Sequence, residues 1–99
     1  MKIEKKGKSL EVDFEGSFDR KTENELENLV VKEIQGIEKL SFDMKGLNDI
    51  SSIGLRILSY AQKIMNEQGI MYIENADYWV ESRCRMHDIV CAKWKEDAG

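Results

Sequence analysis

The chain has 99 residues, with 15 basic and 19 acidic side chains and a formal net charge of −4 at pH 7. That length fits a single domain over residues 1–99 with one modest core, and the acidic balance argues against nucleic acid, whose phosphates need a basic face. No apolar run approaches the ~20 residues of a membrane span, and the N-terminus lacks the apolar core of a signal peptide, so we expect a cytoplasmic protein without membrane insertion.

The first two predicted elements are strands joined by a tight turn at Gly7. Residues 2–5 form the first strand. Residues 9–14 form the second, in which apolar and acidic side chains alternate. The apolar members are Leu10, Val12 and Phe14. This alternation predicts a strand with one buried face.

The next predicted element is a helix over about residues 22–34. Thr22 and Glu25 form a Ser/Thr-x-x-Glu capping box, which is typical of a helix start. Gly36 is the predicted C-cap. Apolar residues recur between these ends at helical spacing, namely Leu26, Leu29, Val30 and Ile34.

The stretch SFDMKGLNDISSIGLRIL, residues 41–58, organises the rest of the chain. A period-2 apolar pattern predicts a strand over residues 38–44, and helical spacing predicts a helix over about residues 53–67, which Gly69 ends. Ser51 and Ser52 stand where the carboxyl end of the strand leads into the helix. Serine is among the best N-cap residues, so either of them could cap the helix or carry chemistry there.

A short apolar run and a weak helical pattern follow in the last third of the chain. Residues 70–73 are continuously apolar, which predicts a strand covered on both faces and parallel to the preceding one. A helix is predicted over residues 78–86, and residues 89–94 form either a last short strand or an extended tail. The order β-β-α-β-α-β-α predicts an α/β sandwich, in which helices pack on a mixed sheet of four to five strands.

Two groups of side chains are candidates for catalysis or metal binding. Cys84, His87 and Cys91 have the spacing Cys-x2-His-x3-Cys, but a fourth ligand is missing from the pattern. Acidic residues are numerous enough for a paired-carboxylate site, although caps and turns are their commoner roles. These residues are Asp13, Asp19, Asp43 and Asp49. We expect no enzyme, cofactor or metal site, and a small hydrolase or metal enzyme is the least favoured alternative.

The stretch LSFDMKGLNDISSIGLRIL resembles, without a gap, the signature of the STAS domain family, which includes bacterial anti-sigma factor antagonists. In that signature a hydrophobic strand ends in Asp, then come hydrophobic-x-Gly-hydrophobic, a short loop and Ser-x-Gly-Leu at a helix start. The matching residues are Asp43, Gly46, Ser52, Gly54 and Leu55. A second segment, GSFDRKTENEL, is similar to another family segment at Gly16, Phe18, Asp19, Thr22, Glu25 and Leu26. The resemblance is strongest over residues 8–74 and implies a STAS-like sandwich.

The resemblance also implies a modification site. In the antagonists the serine at the Ser52 position is phosphorylated by a partner anti-sigma kinase, so Ser52 is the expected phosphoacceptor. Ser51 stands where antagonists often have Asp. The residues expected to flank the site are Asp19, Asp49, Ser51 and Gly54.

The leading hypothesis is a phosphorylation-switched protein-binding module. The unphosphorylated chain would bind and sequester a kinase-type anti-sigma factor, which is a serine kinase, and would thereby free a sigma factor. Arg56 and Tyr60 are the candidates for the contact face. The alternative within the same family is a phosphorylation-independent adaptor on a transporter ATPase or a signalling assembly.

Overall fold

The computed structural model describes residues 1–89 of the chain. These residues contain four strands and three helices. They are β1 (Lys2–Lys6), β2 (Ser9–Asp13), α1 (Arg20–Lys32), β3 (Lys39–Asp43), α2 (Ser52–Gln68), β4 (Ile70–Glu74) and α3 (Tyr78–Met86). Their order confirms the predicted β-β-α-β-α-β-α pattern. The possible last strand over residues 89–94 lies, beyond Ile89, outside the described residues.

The four strands form one mixed sheet in the order β1-β2-β3-β4. β1 and β2 are antiparallel and are joined by a tight turn in which Gly7 has φ +59°, a conformation that favours glycine. β2, β3 and β4 are parallel, so helical crossovers α1 and α2 connect them. The carboxyl ends of these three strands therefore meet at one edge of the sheet, which we call the carboxyl edge.

The core lies between one face of this sheet and the helices. In β2 the predicted alternation holds, because Leu10 and Val12 are buried and the acidic residue after each is exposed. In β3 Leu40 and Phe42 are buried as predicted, but Ser41 between them is buried as well. The helices cover this face with apolar side chains that include Leu26, Leu29, Val30, Leu55, Leu58, Ala61 and Met65. The predicted α/β sandwich is thus confirmed. None of the described helices has both the length and the apolarity that crossing a membrane requires.

Strand β4 differs from the prediction that both its faces are covered. Met71 and Ile73 are buried, but Ile70 is 45% exposed. The register pairs Ile70 with Lys39 and Met71 with Leu40, so Met71 faces the core and Ile70 lies on the opposite face of the sheet. A continuous apolar run does not reveal which alternate residues point inward, and here the assignment depends on the neighbouring strand.

Both predicted ends of α1 are wrong. The helix begins at Arg20, and its N-cap is Asp19, whose carboxylate accepts a hydrogen bond from the backbone N–H of Thr22 at 2.9 Å. Thr22 therefore lies inside the first turn, and the Thr22–Glu25 capping box does not form. The C-cap is Glu33 rather than Gly36. In α2 the predicted ends are nearly correct: the helix starts one residue early, at Ser52, and Gly69 is its C-cap.

Candidate functional site

The loops that precede α1 and α2 meet at the carboxyl edge and enclose an open cleft of about 510 Å³. Its lining comes from the β2–α1 loop and the β3–α2 loop, and it consists of Gly16, Ser17, Phe18, Gly46, Asn48, Asp49, Ile50 and Ser51. Both segments that carry the predicted family motifs therefore converge on this cleft. The predicted phosphoacceptor Ser52 is the next residue along the chain.

Ser51 is the N-cap of α2. Its hydroxyl oxygen accepts a hydrogen bond from the backbone N–H of Gly54 at 3.0 Å. The same hydroxyl donates to Oε2 of Glu23, in the first turn of α1, at 2.6 Å. The side chain is half-buried, and its single proton is already engaged. Ser51 therefore performs the capping role that the sequence allowed for either serine.

Ser52 is the first residue of α2 and is exposed. Within residues 1–89 its hydroxyl makes no hydrogen bond, in contrast to that of Ser51. The two adjacent serines thus have different environments: one hydroxyl is held between two partners, and the other faces solvent. The exposed hydroxyl of Ser52 is therefore accessible to an enzyme.

Gly54 lies in the first turn of α2 and is buried. A Cβ added there would overlap the ring of Phe18, from the β2–α1 loop, and would lie 3.1 Å from Cγ1 of Ile50. Phe18 is half-buried and packs against Phe14, with ring centroids 5.4 Å apart. The glycine therefore allows the β2–α1 loop to lie directly against α2.

Asp49 joins the β3–α2 loop to α3. Its Oδ1 accepts hydrogen bonds from the backbone N–H of Ile50 at 2.8 Å and from the indole N–H of Trp79 at 3.3 Å. Nε of Arg83 lies 3.8 Å from the same oxygen, and the Arg83 guanidinium lies over the Trp79 ring, 5.9 Å from its centroid. The sequence reveals neither Trp79 nor Arg83 as a neighbour of this loop, because no motif links them to it.

Asp19, the other acidic residue expected to flank the site, caps α1. The backbone N–H of Thr22 that bonds to its carboxylate is the main cause that holds the pKa of Asp19 below its usual 3.8. The first turn of α1 reaches the site through Glu23, which bonds to Ser51. Glu23 is not among the predicted site residues, and its only signal in the sequence is its place near the start of a predicted helix.

Arg56 and Tyr60, the candidates for the contact face, are exposed on α2. Both line a groove of about 290 Å³ between α1 and α2. The other lining residues are Glu27, Val30, Val31 and Ile57. We call this the α1–α2 groove; it has an apolar floor and one charged side chain of each sign. Their role as contact residues stays a prediction.

Among the candidate residues for catalysis or metal binding, Asp13 and Asp43 are paired in register across β2 and β3 at the carboxyl edge. Residues 1–89 contain no group of three or more His, Cys, Asp or Glu side chains that could hold a metal ion. Cys84 is buried in the core and His87 is exposed, while Cys91 lies outside the described residues. Asp43 uses its Oδ1 to accept hydrogen bonds from the Lys45 backbone N–H and the Asn75 side chain.

Comparison with known proteins gives a family and a fold. A family model described as "STAS domain" matches residues 1–90. No curated protein matches the chain. Eleven chains of solved structures match, and one of them, titled "Crystal Structure Analysis of Mglu", has a TM-score of 0.63 and 13% sequence identity. The match covers 79% of this chain but only 20% of that one, and at this identity it supports the fold alone.

Proposed function

The chain belongs to the STAS domain family, and we propose that it is a phosphorylation-switched protein-binding module with Ser52 as its phosphoacceptor. In its unphosphorylated form it binds and sequesters a kinase-type anti-sigma factor, which then releases its sigma factor. In this proposal the chain is a binding module and not an enzyme, and the kinase supplies the catalysis.

The observation that carries the proposal is the contrast between the two adjacent serines. The proton of the Ser51 hydroxyl is engaged by Glu23, and the oxygen accepts the N–H of Gly54. Ser52 is exposed at the start of α2. A kinase that approaches the carboxyl edge therefore meets a Ser52 hydroxyl that has no hydrogen bond within residues 1–89, and a half-buried Ser51 hydroxyl that already has two partners.

Phosphorylation would change binding without disturbing the fold. Oγ of Ser52 attacks the γ-phosphorus of ATP, ADP leaves, and the hydroxyl proton passes to a base of the kinase. The product carries about −1.5 to −2 charges at a helix start, where the first N–H groups favour an anion. At a protein interface the same charge must be desolvated and repels acidic groups. The modified chain should stay folded and lose its partner.

The α1–α2 groove supports the proposed contact face. Of the residues that line it, Val31 is 57% exposed and Tyr60 56%, and Ile53, which lines an adjoining cavity together with Ile57, is 53% exposed. Ile53 directly follows the phosphoacceptor, so this apolar surface starts at the modification site. Large exposed apolar side chains close together are typical of a protein-binding surface. A phosphate on Ser52 would therefore lie at the border of the interface.

The test is a phosphorylation assay with a kinase-type anti-sigma factor from the same organism, followed by mass spectrometry of the phosphopeptide. We expect phosphate on Ser52 and none on Ser51. A binding titration with the same partner should show that Ser52→Ala binds like the wild type and resists phosphorylation. Ser52→Asp should bind much more weakly while melting normally, because a carboxylate is favourable at a helix N-terminus.

Two results would overturn the proposal. One is phosphate on Ser51 in place of Ser52. The other is tight binding that Ser52→Asp leaves unchanged, with neither serine modified. The second result would support the alternative, a phosphorylation-independent adaptor that uses the α1–α2 groove alone, since Ser52 is not among the residues that line this groove.

A further inference from the structure

Arg56 lies four residues after Ser52 on α2, and both side chains are exposed. Residues four apart lie on the same face of a helix, one above the other. The Cα–Cβ bonds of a helix tilt toward its N-terminus, so a long side chain covers the turn that precedes it. The guanidinium of Arg56 is therefore within reach of the turn that carries Ser52.

Arg56 is not committed to another anion within the described residues. The ion pairs of residues 1–89 use Lys6, Lys8, Arg83 and Arg85 as cations. Glu27 lines the α1–α2 groove together with Arg56, but the two do not form an ion pair. The charge of Arg56 is thus available to an anion that appears on the same helix face.

We propose that Arg56 binds the phosphate on Ser52 within α2 and is thereby withdrawn from the α1–α2 groove; this inference rests on the proposed phosphorylation of Ser52. The planar guanidinium can donate two parallel hydrogen bonds to phosphate oxygens. The order, with the anion N-terminal to the cation by four residues, is the more favourable one in a helix. Modification therefore removes a cation from the contact face and adds an anion beside it.

Binding of Arg56 to the phosphate would change the net charge of the α1–α2 groove from neutral to negative. In the unmodified chain Glu27 and Arg56 give the groove one negative and one positive side chain. When Arg56 turns to the phosphate, Glu27 remains as the charged group of the groove. A partner that places an acidic side chain against Arg56 then meets a negative surface.

The test measures the ionisation of the phosphate itself and needs no kinase. Phosphoserine is incorporated at position 52 during synthesis of the full chain, and its second ionisation is followed by phosphorus NMR as a function of pH. We expect the midpoint in the wild-type background to lie about 0.2 to 0.4 pH unit below that in Arg56→Gln, the size expected for an exposed i,i+4 ion pair. The difference should shrink at high salt.

Lys63→Gln is the matched control, because it removes one positive charge from an exposed position on the same helix, eleven residues beyond Ser52. It should leave the midpoint at the wild-type value. The inference is overturned if Arg56→Gln titrates like the wild type, or if Lys63→Gln shifts the midpoint as much as Arg56→Gln does. Either result would leave the proposed phosphorylation of Ser52 standing, since the kinase assay measures that separately.

Discussion

The hydroxyl of Ser51 donates a 2.6 Å hydrogen bond to Glu23, across 28 positions of the chain. This bond joins the first turn of α1 to the N-cap of α2, so the two helices that border the α1–α2 groove are held together at the carboxyl edge. It also leaves two adjacent serines in different environments, with the Ser51 proton engaged and the Ser52 hydroxyl exposed. Neither consequence follows from the local sequence around Ser51, because the partner lies in the other family segment.

The first prediction compares the two serines by substitution. Ser51→Ala loses both the N-cap bond to Gly54 and the bond to Glu23, and should lower the free energy of unfolding by about 1 to 2 kcal/mol. Ser52→Ala loses no hydrogen bond within the described residues and should stay within about 0.5 kcal/mol of the wild type. Denaturant unfolding of the two variants measures the difference. Equal effects would show that Ser51 does not hold the start of α2.

The second prediction concerns Gly54. Gly54→Leu places a side chain where the Phe18 ring lies, and should lower the free energy of unfolding by about 1 to 3 kcal/mol, as overpacking usually does. Phe18→Ala is the matching change, because it removes the ring that the new side chain meets. Thermal unfolding of the double variant should show less than the sum of the two single effects. Additive losses would mean that Gly54 is needed for another reason.

A third prediction concerns Gly69, the C-cap of α2. Its backbone is extended, with φ 174°, so its conformation suits any residue. A Cβ there would overlap the backbone carbonyl of Glu38, whose oxygen accepts the N–H of Ile70. Since a backbone group cannot rotate aside, Gly69→Ala should cost about 3 kcal/mol of unfolding free energy.

Gly36→Ala is the control for Gly69. Gly36 has φ +76° and open space around its Cα, so alanine meets backbone strain there but no clash. We expect a cost of about 1 kcal/mol. The order of the two effects, measured in the same denaturant, distinguishes close approach from conformational strain. A larger loss for Gly36→Ala would contradict the packing of α2 against the Glu38 carbonyl.

The fourth prediction is a pH dependence that comes from Asp19. The backbone N–H of Thr22 lowers the pKa of Asp19 below 3.8, so ionised Asp19 stabilises the folded state. That contribution is complete above pH 3.8, the unfolded-state value, and is lost as the pH falls through the lower folded-state pKa.

Asp19→Asn tests this dependence, because asparagine is an equally good N-cap that does not titrate. Its stability should fall below that of the wild type near neutral pH and should approach it in acid. Denaturant unfolding over a series of pH values provides the measurement. A difference that stays constant across the series would assign the role of Asp19 to the shape of the side chain and not to its charge.

Strong periodicity made most of the fold predictable, and tertiary contacts explain the errors. In β2 and β3 the alternation identified the buried apolar residues, because a strand with one covered face repeats every second residue, although it did not predict the burial of Ser41. At α1 both Asp19 and Thr22 are suitable N-cap residues. In the structure Asp19 is the N-cap, and Thr22 is buried in the first turn. In β4 the inward residues are set by pairing with β3, and a run of four apolar side chains contains no such information.

Only those features of the candidate site that a local sequence motif indicates could be predicted. The capping of α2 by one of two adjacent serines follows from residues next to each other in the chain, whereas the close approach at Gly54 involves Phe18 of the other family segment. Glu23 and Trp79 come from other elements, and only the sheet topology brings them to the carboxyl edge. Contacts between distant segments leave no periodic signal in a single sequence.

The hydrogen bond from Trp79 to Asp49 supplies an optical probe of the β3–α2 loop, which leads into the proposed phosphosite. Asp49 precedes Ser52 by three residues, and indole emission responds to polar partners and to exposure, so the fluorescence of Trp79 depends on the conformation of the β3–α2 loop. The chain has two tryptophans, and Trp94→Phe would leave Trp79 as the single emitter. Phosphorylation, partner binding and loop motion could then be followed in solution by intrinsic fluorescence, without an attached dye.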